Sequence, residues 1–118
     1  MNVLAKMFVP SEILSDFEVT DAFEENGVWI IELYEKADLA HVPKLIKYKS
    51  KAVLNGYCAS IDIQTFPTDA KEVFLRLYRR KWKVSGESKS YHNRYHYTQE
   101  GIKATKKFAA FLKEINRG

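Results

Sequence analysis

The sequence contains a single cysteine, Cys58, among its 118 residues, so no disulfide can form within the chain. It has no uninterrupted apolar segment approaching the ~20 residues that a membrane-spanning helix needs, and no lipidation motif. No basic stretch followed by an apolar run and a small-residue cleavage site opens the chain. These absences exclude a disulfide-stapled scaffold and predict a cytoplasmic protein without a membrane role.

Internal repeats, low-complexity tracts and obvious linkers are also missing. Apolar residues make up 46% of the chain and charged residues 29%, which is normal for a globular protein and leaves no room for a long disordered arm. A chain of this length can bury roughly two thirds of the surface that its unfolded form exposes. We therefore expect one domain with one core over residues 1–118.

Charge is unevenly distributed along the chain. Residues 1–38 contain two basic and nine acidic residues, a balance of −7, whereas residues 39–118 contain seventeen basic and six acidic residues, a balance of +11. Local electrostatic fields steer association more than total charge does. The asymmetry therefore points to a polyanionic partner, although a charged surface that is merely solvated has the same composition.

Short-range signals mark the first half of the chain. Apolar residues between positions 3 and 17 are interrupted at Pro10, which predicts two short helical turns, the second beginning near this proline. Asn26-Gly27 lies between two runs of alternating polarity and is the strongest short-range signal for a β-hairpin. Asn55-Gly56 predicts a turn or bulge in a further strand region, and Pro67 should close that strand or lie beyond its paired part.

Strand and helix patterns dominate the second half. After a loop at residues 67–71, residues 72–84 are strongly strand-like. From Thr98 or Gln99 to Ile115 the pattern is that of a helix, with one shared apolar face: Ile102, Thr105, Phe108, Ala109, Phe111, Leu112 and Ile115. We therefore predict an α+β domain: a small antiparallel sheet of about four to five strands, short N-terminal helical turns and a C-terminal helix packed on the sheet.

The strand-like run FLRLYRRKWKV carries the densest positive charge. Alternation places Val73, Leu75 and Leu77 on an apolar face, and the cations that follow would be costly to bury there. We therefore expect the strand to leave the core after Leu77 and to project as an exposed arm. Arginine forks suit phosphate oxygens and aromatic rings stack on unpaired bases. The alternative is a plain sheet whose rings cover a neighbouring strand beneath stacked arginine stems.

FPTDAKEVFLRLYRRKW followed by EGIKATKKFAAFLKEINR resembles the N-terminal region of bacterial insertion-sequence transposases, which some elements encode as a short separate reading frame. The opening FVPSEILSDFEV is also similar to the start of those proteins, so the resemblance spans nearly the full chain. It implies DNA binding at the ends of a mobile element, with the strand-transfer chemistry on a separate catalytic transposase subunit. A second copy of the chain is a further partner that this interpretation allows.

Arg79, Arg80, Lys81 and Trp82 match the basic strand of that family. Related transposases carry zinc-ribbon cysteines after this strand, but KVSGESKSYHNRYHY contains none, so neither a metal nor another cofactor is expected. The candidate DNA contacts come from the strand, the loop after it and the last helix: Arg76, Tyr78, Arg79, Arg80, Lys81, Trp82, Lys83, Arg94, Lys103, Lys106 and Lys107.

Other chemistry has weaker support in the sequence. His92 and His96 have the spacing of a helical zinc pair, but only the remote Cys58 or His41 could add a third ligand. Acidic residues at positions 62, 69 and 72 fit turn chemistry better than a catalytic cluster, so we expect no enzyme activity. The competing hypothesis is a protein-interaction module that self-associates or binds a partner subunit through its acidic and basic faces.

Overall fold

A computed structural model of the chain describes residues 3–98 and 103–116. Two short helices, α1 (Val3–Lys6) and α2 (Ser11–Leu14), precede six strands and one longer helix. The strands and the last helix are β1 (Phe17–Glu25), β2 (Val28–Glu35), β3 (Ala52–Tyr57), β4 (Ile61–Thr68), β5 (Lys71–Tyr78), β6 (Arg80–Val84) and α3 (Lys106–Asn116). Single 3-10 turns, Leu39–His41 and Lys49–Lys51, lie between β2 and β3. The α+β class predicted from the sequence is confirmed.

The strands form two sheets. The larger one has the order β1-β2-β5-β4, and the smaller one pairs β3 with β6. β1 and β4 run antiparallel to their neighbours, but β2 and β5 pair in parallel from Trp29 opposite Val73 to Tyr34 opposite Tyr78. This pair differs from the all-antiparallel sheet that was expected. A parallel pair needs a long crossover, and the chain supplies one by building β3 and β4 between β2 and β5.

Tight turns close both hairpins of the larger sheet. Asn26 and Gly27 join β1 to β2 with φ of 51° and 82°, which is the hairpin that the sequence predicted. Asp69 and Ala70 join β4 to β5 and also have positive φ, 50° and 59°. Such values are strained for residues with a side chain, so the second turn is held by the strands it connects.

Irregular pairing occurs where the sequence predicted it. The register of β3 against β6 shifts between Leu54 and Tyr57, around Gly56 with its φ of 78°, so the bulge at Asn55-Gly56 is confirmed. The expectation for Pro67 is wrong: β4 continues past it to Thr68, which still pairs with Lys71, although the register against β5 shifts between Thr65 and Thr68. β4 is an edge strand, where a proline costs no ladder hydrogen bond.

The main core lies on one face of the larger sheet. The inward side chains of β5 are Val73, Leu75 and Leu77, all at most 3% exposed, as their alternation predicted. The N-terminal segment covers them with its own apolar residues, of which Ile13 is fully buried. Each such side chain stabilises the fold by about 1.5–3 kcal/mol relative to exposure.

The last helix begins later than the sequence predicted. Thr98 is not helical, residues 99–102 lie outside the described residues, and α3 begins at Lys106. Gln64 of β4 donates from its N–H to the carbonyl of Lys103 and accepts at its carbonyl from the N–H of Thr105, at 3.0 and 2.9 Å. Residues 103–105 therefore pair with the edge of the sheet and are not part of the helix. The side-chain oxygen of Thr105 then accepts a hydrogen bond from the N–H of Phe108 at the start of α3.

The apolar face of α3 is only half covered. Phe108 and Ala109 are buried, and Phe66 of β4 packs against Phe108 and Phe111. Phe111, Leu112 and Ile115, which the pattern predicts on the covered face, are 47%, 36% and 56% exposed. The helix therefore packs at the edge of the sheet near Phe66 rather than across it. Ile102, predicted for the same face, lies outside the described residues.

The projecting arm expected after Leu77 does not form. At Arg79 the chain leaves the larger sheet, and β6 then pairs with β3 in the smaller one. Trp82 is 4% exposed and forms a second core with Val42 and Ile46. We call residues 39–57 and 80–91 the basic lobe, and residues 3–38 and 58–79, which form the larger sheet and its N-terminal helices, the sheet lobe. The loop of residues 92–97 lies where they meet.

Candidate nucleic-acid interface

The fold separates the charges of the chain into two lobes. The sheet lobe carries twelve acidic and five basic residues, a net charge of −7, and the basic lobe has eight basic residues and one acidic residue, a net charge of +7. The basic residues are Lys44, Lys47, Lys49, Lys51, Arg80, Lys81, Lys83 and Lys89. The pairing of β3 with β6 creates this concentration, because it brings two segments together that are 22 residues apart in the chain.

Most of these cations face solvent without an acidic partner. Lysines 44, 47, 49, 51 and 89 are exposed, and Lys81 and Lys83 are half-buried. Across the described ranges, none of these seven lysines forms an ion pair with a carboxylate. The one acidic residue of the lobe, Glu87, accepts a hydrogen bond from the hydroxyl of Tyr91. The positive field of the lobe is therefore largely uncompensated from within.

Aromatic rings lie among the cations of the basic lobe. Tyr48 is 67% exposed with the Lys51 ammonium 5.3 Å from its ring centre, and Tyr57 is 42% exposed with the Arg80 guanidinium carbon 5.1 Å away. A ring beside a cation is attracted to it, and both can contact a nucleotide. The surface thus combines charge for phosphates with flat groups for bases or sugars.

Two of the predicted DNA contacts lie on the sheet lobe and are used there. Arg76 donates from Nε and Nη2 to the two carboxylate oxygens of Asp62 at 3.0 and 3.3 Å, and it also lies 3.9 Å from Glu25. The hydrogen bonds that Arg76 donates to Asp62 raise the pKa of Arg76. Tyr78 donates to Glu32 at 3.0 Å. The charge of Arg76 is thus neutralised by the protein's own carboxylates, and the Tyr78 hydroxyl is also bound to one of them.

The arginine pair at the switch between the sheets is also engaged. Arg79 donates from Nη1 to the carbonyl of Asn93 at 3.2 Å, and its Nε is buried without a partner among the described residues. Arg80 donates from Nε to the carbonyl of Glu35 at 2.7 Å and from Nη1 to the hydroxyl of Tyr57 at 3.1 Å. Trp82, expected on DNA, is a core side chain of the basic lobe. Its ring is therefore not available to a partner.

The remaining predicted contacts lie apart from the basic lobe. Arg94 is exposed in the junction loop, and Lys103, Lys106 and Lys107 are exposed in and just before α3. α3 packs on Phe66, towards the end of β4 that turns into β5, whereas β6 begins beyond the opposite end of β5. The lysines of the helix and those of the basic lobe therefore form two separate surfaces. Arg117, on the same predicted helix, lies outside the described residues.

A buried carboxylate that the sequence reading missed joins the lobes. Glu35 is fully buried and accepts hydrogen bonds from the backbone N–H of Arg80 at 2.9 Å, from Asn93 Nδ2 at 2.9 Å and from the hydroxyl of Tyr95. Burial, and then the contact with Glu35, strongly raise the pKa of Tyr95. A signal was present in the sequence: Glu35 continues the apolar face that Ile31 and Leu33 begin, where a charge needs partners.

His41 forms a second link at the junction. Its Nε2 lies 3.2 Å from Asp16 of the sheet lobe, and its Nδ1 contacts Asp38. Tyr97 donates to the other oxygen of Asp16 at 2.6 Å. Burial disfavours a charged imidazole, but Asp38 and then Asp16 outweigh it and raise the pKa of His41. With a carboxylate at each ring nitrogen, the imidazolium is the form that satisfies both contacts.

Two further findings concern other kinds of site. Within residues 3–98 and 103–116, no three His, Cys, Asp or Glu side chains are grouped so that they could hold a metal ion. No helix in the same ranges is long and apolar enough to cross a membrane. His92 and His96 are exposed, and His92 Nδ1 lies 3.2 Å from Arg79 Nη1.

Comparisons of the chain with protein-family models, curated proteins and solved structures find no significant match.

Proposed function

We propose that this protein binds DNA through its basic lobe and catalyses no reaction itself. The observation that carries the proposal is the separation of charge: a lobe of net charge +7 lies beside one of net charge −7. Seven lysines of the basic lobe form no ion pair with a carboxylate of the described residues. A surface with this much free positive charge is suited to bind a polyanion. The resemblance to the N-terminal region of insertion-sequence transposases favours DNA as that polyanion and the ends of a mobile element as its sequence.

The proposed footprint differs from the one that the strand alone suggested. Lys81 and Lys83 remain in it, joined by lysines that the sequence reading left as an unassigned connection: Lys44, Lys47, Lys49, Lys51 and Lys89. Arg76, Tyr78 and Trp82 are not part of it, because their side chains are used within the protein. Arg79 and Arg80 position the lobe and can add charge to it. The lysines of α3 form a separate basic surface, and Arg94 lies in the junction loop.

The salt dependence of binding tests this footprint. Fluorescence anisotropy would follow binding to a labelled duplex as salt is raised, comparing the unaltered protein with a variant in which Lys44, Lys47, Lys49 and Lys51 are changed to Gln. Each lost phosphate contact lowers the slope of log K against log salt by about 0.9, so all four would lower it by about 3–4. The matched control changes Lys103, Lys106, Lys107 and Lys113 to Gln, which removes the same charge from α3 instead.

The outcomes separate the basic lobe from total charge. A large decrease in slope for the lobe variant and a small one for the helix variant is the expected result. Equal decreases would mean that binding follows net charge and that the lobe is not the site. From the transposase resemblance we expect tighter binding to duplexes taken from the ends of the mobile element that flanks the reading frame than to random duplexes.

The same separation of charge supports one alternative function. The positive lobe of one copy can face the negative lobe of another, as in a protein-interaction module that self-associates. Sedimentation velocity at low salt distinguishes the two functions. A mass that rises with protein concentration, together with no anisotropy change on any duplex, would replace DNA binding by self-association.

A further inference from the structure

A groove of about 710 Å³ lies at the junction of the two lobes. One wall comes from β1 and the end of β2 with Glu18 and Tyr34, and the other from the start of β6 and the end of β3 with Arg80 and Tyr57. Lys36 and Asp38 of the connecting segment also line it. Its volume is within the range of sites that hold a small ligand or a single nucleotide.

The wall formed by Tyr57 is built as a rigid flat surface. The hydroxyl of Tyr57 accepts from Arg80 Nη1 at 3.1 Å, and the Arg80 guanidinium carbon lies 5.1 Å from the ring centre. Tyr34 meets the ring edge-on at 5.1 Å and is itself stacked on Tyr78 at 4.5 Å. These contacts fix the ring while 42% of the residue stays exposed. Because the ring is already fixed, stacking a base on it costs little side-chain entropy.

The charges of the groove set the orientation of a nucleotide. Arg80 leads from the groove into the basic lobe, so a phosphate is favoured on that side. The Glu18 carboxylate is exposed and forms no ion pair with another described residue, so it can accept from the amino group of a base while repelling phosphate. A base within a duplex is stacked and paired and cannot enter such a groove.

We propose that this groove receives one unpaired nucleotide of the bound DNA, with the base against Tyr57 and the phosphate towards Arg80. The inference rests on the proposed DNA binding and makes it more specific. The preferred ligand is then a duplex that contains a single-stranded stretch, not a continuous duplex. The basic lobe supplies the general affinity, and the groove supplies the preference.

The test uses two DNAs of equal length and strand charge, one fully paired and one with a short unpaired stretch that contains 2-aminopurine. We expect about tenfold tighter binding of the second DNA, with a change in 2-aminopurine fluorescence as its base stacks. Tyr57→Ala should bring the ratio of the two affinities close to one, where each variant's affinity for the unpaired DNA is divided by its own affinity for the paired duplex. Tyr57→Phe keeps the ring and should keep the preference. The matched control is Tyr48→Ala, an exposed ring of the same lobe outside the groove, which should also keep it.

Each outcome bears on a distinct hypothesis. Equal affinity of the unaltered protein for the two DNAs would overturn the groove but leave DNA binding by the lobe. A preference that survives in Tyr57→Ala would also overturn the groove, as would a fluorescence change that Tyr48→Ala abolishes and Tyr57→Ala does not. No binding to either DNA at low salt would instead overturn the proposed function itself.

Discussion

The backbone N–H of Arg80 donates to the carboxylate of Glu35 at 2.9 Å, at the point where the chain passes from the larger sheet to the smaller one. The guanidinium Nε of Arg80 also donates to the backbone carbonyl of Glu35, at 2.7 Å. The end of β2 and the start of β6 are thus joined by a buried acid. The orientation of the basic lobe depends on this pair.

Changing Glu35 to Gln should destabilise the protein strongly. The amide keeps the shape of the side chain but loses the charge. In either orientation its NH₂ group would face a donor, the backbone N–H of Arg80 in one and Asn93 and Tyr95 in the other. Hydrogen bonds to a charged group contribute about 1.5–3 kcal/mol each, so we expect a loss of at least about 2 kcal/mol. Urea unfolding measures it. Glu18→Gln on exposed β1 is the control, expected within about 0.5 kcal/mol of the unaltered protein, and equal effects of the two changes would contradict the role of Glu35.

Stability should fall as pH rises through the titration of His41. Its pKa is raised from 6.5 in the folded protein, so the stabilisation is complete below 6.5 and is lost as pH rises through the raised value. The same contact lowers the pKa of Asp38, whose contribution is lost only as pH falls below 3.8. We expect the urea midpoint to decrease as pH rises above 6.5. His41→Gln should flatten that part of the profile, and an unchanged slope would show that another group causes it.

Trp82 should matter for the stability of the basic lobe and not for DNA contact. Trp82→Ala removes most of a ring that is 4% exposed and should cost about 3–5 kcal/mol. Hydrogen exchange should then speed up in β3 and β6 before it does so in β5. Trp82→Phe loses no hydrogen bond, because Nε1 has no partner among the described residues, and should cost about 1–2 kcal/mol. Its DNA affinity should stay within about twofold, and a larger decrease would place the ring at the interface.

Ala70→Gly should stabilise the turn between β4 and β5. Ala70 has a φ of 59°, a conformation that costs a residue with a Cβ about 1–2 kcal/mol and costs glycine little. Glycine is also more flexible in the unfolded chain, which offsets part of this gain. The net increase in the free energy of unfolding should be about 0.5–1 kcal/mol. Ala110→Gly on the exposed side of α3 is the matched control and should cost about 0.5–1 kcal/mol. A loss at both positions would mean that the turn is not strained.

Local patterns predicted the elements better than their arrangement. The Asn26-Gly27 hairpin and the inward face of β5 follow from residues that are neighbours in the sequence, and both are present. The parallel pairing of β2 with β5 depends on a crossover of more than thirty residues, which no local signal encodes. The late start of α3 has the same origin, because residues beside Gln64 are recruited to the sheet edge.

The candidate site shows the same division. Lys81 and Lys83 could be identified from one charged strand, but the run from Lys44 to Lys51 has the composition of an ordinary polar connection. Its position beside β6 arises from the pairing of β3, a contact distant in sequence. The cations after Leu77 indicated that the strand leaves the main core there, but the pairing of β6 with β3 in a second sheet had no local signal. It follows from Trp82 having a second core in which to be buried.

The two lobes are interleaved along the chain. The basic lobe is assembled from residues on either side of β4 and β5, and Arg79 alone separates β5 from β6. Truncation from the C-terminus past β6 would leave β3 without its partner strand. Truncation from the N-terminus past β3 would also remove β1 and β2 from the larger sheet. Neither lobe can therefore be excised by a single cut and transplanted to another protein. During synthesis the smaller sheet can close only after the ribosome has delivered all four strands of the larger one.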